Sequence, residues 1–240
     1  MRLLLIGCVF VLSAAQDVAK CQTKRCCTPK KWEGIQAPLG GIVNNSPEKP
    51  GLIKGITRFH YDDTKDLAAS FTNITLSGQD YRLHAVRRKK TLYLVDLNTK
   101  KCHKSRIDKP FKLRKRCIPK NATCTGPFYV GSGNNKVQFN TFNTIKRGSN
   151  KTYLNVSASV TEKCIPLSET FFGRVSGQRI VETIRYYDVR VGIKDSSVFD
   201  VPRLCNSTSG DFDLASLLNL HKQDSMAQSL GVFYIYIINI

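Results

Sequence analysis

The sequence predicts a mostly β fold: a curled antiparallel sheet, arranged as a sandwich or half-barrel, with one helix near the C-terminus. Three observations predict it. Short runs rich in β-branched and aromatic residues recur from Leu52 onward. Turn-type residues separate them, rather than amphipathic helical segments, which argues against βαβ units and a parallel sheet. Within the runs apolar and polar positions alternate, the period of a half-buried strand. With 240 residues, 41% of them hydrophobic, the chain can bury a substantial core.

Residues 1–15 have the order of a secretory signal. Arg2 supplies the charge, Leu3 to Leu12 the apolar stretch, and Ser13-Ala14-Ala15 the small residues at a cleavage site. Residues 16–51 hold Cys21, Cys26 and Cys27, four prolines and Gly40-Gly41. Prolines at that density break helices and central strands, so an irregular cross-linked segment is expected there. A β domain is expected over 52–225. Its strand candidates are Ile56–Tyr61, Leu67–Leu76, Thr91–Leu97, Val137–Ile145, Thr152–Val160 and Ile180–Ile193. Arg147-Gly148-Ser149-Asn150 reads as the turn of a hairpin between two of them. Leu214, Leu217, Leu218 and Leu220 follow Asp211 and Asp213, which reads as a packing helix with acids at its N-terminal end. Residues 226–240 form an apolar tail whose last stretch, Gly231 to Ile240, is about half the length of a spanning helix.

Removal of the signal takes Cys8 with it and leaves eight cysteines. An even number in an exported chain reads as a disulfide framework, and no pair has the C-x-x-C spacing of a zinc site. Six N-x-S/T sequons stand at Asn44, Asn73, Asn121, Asn150, Asn155 and Asn206, and are expected to carry glycans on exposed surface.

Catalytic patterns do not appear. His60, His84, His103 and His221 lie far apart, and the chain has no H-E-x-x-H, no G-x-S-x-G and no phosphate-binding loop. A non-enzymatic protein is expected. Lys and Arg number 37 against 18 acids, a formal net charge of +19. Between Arg82 and Arg116 fourteen Lys/Arg face two acids, with runs at Arg87, Arg88, Lys89 and Lys90 and again at Arg114, Lys115 and Arg116. Such a cluster attracts polyanions by counterion release. For an exported chain the candidates are sulfated matrix glycans or anionic lipid surfaces, and nucleic acid lies in the wrong compartment. A solvated basic face is the plainer reading of the same residues.

Ten apolar side chains fall on the candidate inward phases of these strands: Phe59, Tyr61, Leu92, Leu94, Val137, Phe139, Leu154, Val156, Ile184 and Val189. They fill a core if two sheets close on each other, and line a cavity if one curled sheet does not. Asp62, Asp63 and Asp66 form the only dense acidic spot, which serves as a turn or as the start of a calcium site.

Four segments together resemble a known family. Cys27-Thr-Pro-Lys-Lys-Trp32-Glu33-Gly34, the stretch from Leu94 to Cys102, the stretch from Lys163 to Phe171, and Tyr187 through Gly192, Asp195, Phe199 and Pro202 to Cys205 are similar, in order and spacing, to segments of ependymin-related proteins. The resemblance implies a curled antiparallel sheet with a deep apolar pocket, similar to bacterial lipoprotein carriers. It implies a secreted, glycosylated homodimer that binds a lipid or other apolar ligand, with calcium as a candidate cofactor and cell–matrix adhesion as a role. It also implies disulfides between Cys27 and Cys164 and between Cys102 and Cys205. Cys21, Cys26, Cys117 and Cys124 have no counterpart. A local Cys117–Cys124 bridge is expected of them, leaving Cys21 and Cys26 for each other or for a partner chain. Two functions follow as expectations: carriage of an apolar ligand in a β-sheet pocket, or adhesion through anionic glycans bound by residues 82–116.

Overall fold

Eleven strands account for nearly all the regular structure in the computed structural model, which describes residues 21, 26–43, 51–76, 78–106, 117–147, 153–175 and 178–206. They are β1 (Lys31–Val43), β2 (Gly51–Asp62), β3 (Leu67–Leu76), β4 (Gln79–Arg88), β5 (Thr91–Asp96), β6 (Lys101–Arg106), β7 (Thr123–Val130), β8 (Val137–Arg147), β9 (Tyr153–Thr161), β10 (Pro166–Val175) and β11 (Gln178–Val191). Two short 3-10 turns follow, at Ser196–Phe199 and Arg203–Cys205. The signal segment 1–15, the leucine-rich segment 211–220 and the apolar tail 226–240 lie outside the described residues.

All eleven strands belong to one antiparallel sheet, in the order β6-β5-β4-β3-β2-β1-β11-β10-β9-β8-β7. The expected antiparallel β fold is present, and of its two arrangements, sandwich or half-barrel, the two-sheet sandwich is corrected to a single sheet. The reason is β1, which pairs with β2 on one side and β11 on the other along most of its length and so joins two meanders. The sheet is open, with β6 and β7 as its edges.

The reading of residues 16–51 as irregular fails at β1, which is the middle strand. Pro38 has no N–H to donate, yet it stands opposite Ile184 on β11, and the ladder toward β2 passes from Gln36 to Leu39 without it. Gly40 is required for another reason. A Cβ there would meet the Val181 carbonyl oxygen and Glu182, so only glycine lets β1 and β11 approach.

Strand alternation divides the sheet into an inner and an outer face. Ile42, Ile53, Ile74, Leu76, Leu83, Ala85, Leu92, Leu94, Leu154, Val156 and Ile180 form one buried apolar cluster on the inner face, from β5 to β9. Trp32, Phe59, Tyr61, Ala68, Ile184 and Tyr186 form a second. On the outer face Phe199 of the first 3-10 turn is buried against Ala69 and Val86. Asp195 caps that turn, accepting from the backbone N–H of Ser197 at 2.9 Å.

Four disulfides lace the chain. Cys102 is joined to Cys205, the pair the resemblance implies, which ties the last 3-10 turn to edge strand β6. The other pairings are corrected. Cys26 takes Cys164, Cys27 takes Cys117, and Cys21 takes Cys124. Cys26 and Cys27 are consecutive in extended chain, so their side chains point in opposite directions and reach different partners. Cys27 and Cys117 form an antiparallel bridge, reinforced by the Ile118 N–H donating to the Cys26 carbonyl at 2.9 Å. A local Cys117–Cys124 bridge is thereby excluded. Cys164, Phe142, Val160 and Ala122 pack with Cys21, Cys26 and Cys124 into a small cluster that anchors this N-terminal segment beneath β7–β9.

Candidate ligand-binding face

Seven of the ten side chains expected to line a pocket are buried on the inner face: Phe59, Tyr61, Leu92, Leu94, Leu154, Val156 and Ile184. Val189 is partly buried against the Trp32 cluster. It faces inward because the chain bulges just before it: the β1–β11 register shifts between Glu33 and Ile35, and Asp188 takes φ 50°. Val137 and Phe139 are corrections. The inward phase of β8 is carried by Asn140 and Phe142, so Val137 is exposed, and Phe139 instead packs on Phe128 with ring centroids 5.7 Å apart. The β7–β8 register shifts between Thr125 and Phe128, beside this pair.

A polar row crosses the inner face between the two apolar clusters. Thr72, Thr57, Gln36 and Tyr186 stand opposite one another on β3, β2, β1 and β11, all buried. The Thr57 and Thr72 hydroxyls hydrogen-bond each other at 3.1 Å. Gln36 Nε2 is buried with no hydrogen-bond partner among the described residues. The row is followed, past Ile184, by Glu182, also buried and opposite Phe171. Sequence reasoning missed these groups. Extending the inward phase of Phe59 and Tyr61 back by one step would have found Thr57. Gln36 was hidden in a segment whose prolines and glycines argue against a strand.

The basic segment divides. Arg87, expected on a polyanion patch, is 2% exposed on the inner face and donates from Nη2 to Asp66 Oδ1 at 3.1 Å. It reaches that face because the inward phase of β4, set by Leu83 and Ala85, includes position 87. Arg88, Lys89 and Lys90 are exposed at the β4–β5 turn, and the pairing of Arg88 with Thr91 and of Thr91 with Arg106 brings exposed Arg106 to the same end. Lys100 and Lys101 lie at the other end of β5. Arg114, Lys115 and Arg116 lie outside the described residues.

Asp62, Asp63 and Asp66 are placed in and beside the β2–β3 turn, and they do not converge. Asp62 accepts from the Thr64 backbone at 3.0 Å and pairs with Lys31 Nζ at 3.2 Å, while Asp66 holds Arg87. Burial pushes the Asp62 carboxyl up, but the Thr64 and Lys31 contacts outweigh it and leave its pKa lowered. No group of three acidic, histidine or cysteine side chains that could hold a metal occurs among the described residues. His60 Nδ1 donates to Glu33 Oε2 at 3.1 Å, and that oxygen also accepts from the Lys194 backbone N–H at 3.2 Å. This ties β1 and β2 to the segment after β11. Burial pushes the pKa of His84 down, and His84 lies stacked on Phe71 with centroids 3.9 Å apart. Burial also pushes His103 down, against the opposing pull of Asp96.

Among the glycan acceptors, Asn73, Asn121 and Asn206 are exposed and Asn155 is partly exposed, while Asn44 and Asn150 lie outside the described residues.

The fold and this face define a class: a disulfide-laced, all-β protein whose open sheet keeps one face buried and apolar. The ependymin family profile matches residues 78–205, just over half of the chain. Ependymin-related protein 1 of Haliotis asinina is 24% identical over 188 residues, covering 76% of this chain and 90% of its own. Ependymin-related protein 2 of the same organism is 24% identical over 205 residues, covering 83% and 98%. Mammalian ependymin-related protein 1 of Rattus norvegicus is 26% identical over 117 residues, about half of each chain. Among solved structures, an uncharacterized conserved protein from Thermus thermophilus aligns over 73% of this chain and 88% of its own, with a TM-score of 0.40 and 9% identity. The chain belongs to the ependymin family.

Proposed function

We propose that this chain is a secreted protein that binds an apolar, lipid-like ligand on the inner face of its sheet. The observation that carries the reading is the inner-face cluster from β5 to β9. In a flat sheet those strands would stand seven steps apart, about 34 Å at about 4.8 Å per step. Lateral neighbours cannot cover the tops of side chains, yet Leu92 is 2% and Ile53 3% exposed. In this proposal the sheet curves so that its two wings face each other about a pocket. The four disulfides fit an oxidising extracellular compartment. In this reading the protein acts by binding, without catalysis.

Native mass spectrometry of secreted protein is expected to show co-purifying acyl chains. Titration of delipidated protein with dansyl-undecanoic acid is expected to saturate, and Val156→Phe, which fills the face, is expected to weaken binding about tenfold while the far-ultraviolet spectrum is retained. Unchanged affinity in that variant, or no saturable binding, overturns the reading.

A second reading, attachment to anionic glycans, is favoured by the exposed group Arg88, Lys89, Lys90 and Arg106 at one end of β4–β6. Replacing Arg88, Lys89 and Lys90 by serine is expected to lower the salt needed to elute the protein from heparin. An unchanged elution position removes that reading and leaves the apolar one intact.

A further inference from the structure

The outer face of the sheet carries an apolar row with a glycan acceptor inside it. Register places Ile145 of β8 opposite Asn155 of β9, Asn155 opposite Phe172 of β10, and Phe172 opposite Val181 of β11. Val181 stands opposite Gly41 of β1, and Gly41 opposite Leu52 of β2. Ile145, Phe172, Val181 and Leu52 are 46%, 47%, 59% and 47% exposed. Leu39, one row away on β1, is 56% exposed. Phe172 and Val181 are adjacent across β10 and β11, while Asn155 separates Phe172 from Ile145 and Gly41 separates Val181 from Leu52. Exposed apolar side chains this close are of the kind a protein in water covers or uses.

Asn155 begins the sequon Asn155-Val156-Ser157. Val156 points into the inner cluster, so the acceptor amide and the Ser157 hydroxyl both stand on the outer face. Because β9 is paired on both sides, Asn155 is fixed on this face, and anything attached to it starts between these two neighbours. The immediate cross-strand neighbours on either side are a phenyl ring and an isoleucine. The apolar C–H face of an N-acetylglucosamine packs on such a ring while its hydroxyls stay in water. At the far side of the same face stands a second acceptor, Asn73, directly opposite Ile56, which is 55% exposed.

We propose that the chain carries an N-glycan at Asn155 and that its inner sugars lie over Phe172 and Ile145, covering the apolar row of the outer face. This is independent of what the inner face binds. Covering the row keeps the outer face from associating with other apolar surfaces, including a second copy of the chain.

The test uses full-length protein secreted from eukaryotic cells. Glycopeptide mass spectrometry is expected to find Asn155 occupied. Ser157→Ala removes the acceptor signal without touching Asn155, and is expected to raise 8-anilinonaphthalene-1-sulfonate fluorescence about twofold and to increase light scattering. Adding Phe172→Ser to it is expected to return both toward the starting values. Asn73→Gln, at the far side of the face, is expected to change them less. If the Ser157 variant is not secreted, enzymatic removal of the glycan from folded protein serves in its place and is expected to give the same rise. An unoccupied Asn155 overturns the proposal. So does dye binding or scattering that stays unchanged once the glycan is gone, and so does a stable dimer through this face in the fully glycosylated protein.

Discussion

Arg87 Nη2 donates to Asp66 Oδ1 at 3.1 Å, joining a cation that is 2% exposed to a carboxylate at the end of the β2–β3 turn. The Arg87 Nε and Nη1 atoms are buried with no hydrogen-bond partner among the described residues, so this ion pair is the compensation the structure shows for burying the charge. Asp66 sits at φ 54°, and its carbonyl accepts from the Lys89 N–H at 3.2 Å, which couples the turn to the end of β4.

Asp66→Ala is therefore expected to destabilise the protein by about 3 kcal/mol, because it strands a buried guanidinium. The double variant Asp66→Ala with Arg87→Met is expected to recover much of that loss, since a methionine of similar length can fill the site without a charge. Urea denaturation of the three proteins checks both values. A single variant as stable as the parent would show that Arg87 is not held by Asp66.

The Cys102–Cys205 disulfide closes a separation of 103 residues. Replacing both cysteines by alanine is expected to cost about 4–5 kcal/mol in the chain-entropy account. Non-reducing peptide mapping of secreted protein should recover this pair, and electron-transfer fragmentation should assign Cys26 to Cys164 and Cys27 to Cys117. Recovery of Cys27 on Cys164 would contradict the Cys26–Cys164 and Cys27–Cys117 pairing.

Gly40 and Gly41 are adjacent in β1, yet they should respond oppositely to alanine. A Cβ on Gly40 meets the Val181 carbonyl and Glu182 backbone, whereas on Gly41 its nearest neighbour is the Gly51 carbonyl at 3.6 Å, an ordinary contact. Gly40→Ala is expected to destabilise by about 1–3 kcal/mol through overpacking. Gly41→Ala is expected to be neutral or slightly stabilising through the unfolded chain. Thermal unfolding of the pair tests the contrast.

His84 and His103 have pKa values pushed below the ordinary histidine value, chiefly by burial. Such a group contributes stability above its unfolded pKa, about 6.5, and that contribution is lost as pH falls toward its folded pKa. Unfolding free energy is expected to fall between about pH 7 and pH 5, where the unfolded chain binds protons the folded one resists. His84→Gln should flatten part of that decline. An identical pH profile in the variant would remove His84 as a contributor.

The legible part of this fold was local. Phe59 and Tyr61 on β2, Leu92 and Leu94 on β5, and Leu154 and Val156 on β9 announce their strands and their buried face by alternation alone. The strands that were missed carry charge or breakers in that same pattern. β6 reads Lys-Cys-His-Lys-Ser-Arg because an edge strand meets water, and β1 contains Pro38 and Gly40 because it lies pressed against β11. In β8 the phase itself misled, since Val137 and Phe139 are the more apolar pair at that end, yet the buried set is Asn140 and Phe142.

The class of structure was readable from the residues alone: antiparallel strands, an even set of cysteines in the exported chain, six glycan acceptors, and the four segments that carry the family resemblance. Each of these is written in neighbouring residues, by strand alternation, turn chemistry or short motifs. The long-range relationships came from the folded sheet. It placed β1 between β2 and β11, sent Cys26 and Cys27 to different partners, withdrew Arg87 from the basic surface, and aligned Thr72, Thr57 and Gln36 across three strands. Register explains the difference. One residue of slip moves a side chain to the opposite face, and the register between distant strands is set by the packing of the whole sheet rather than by any local run of residues.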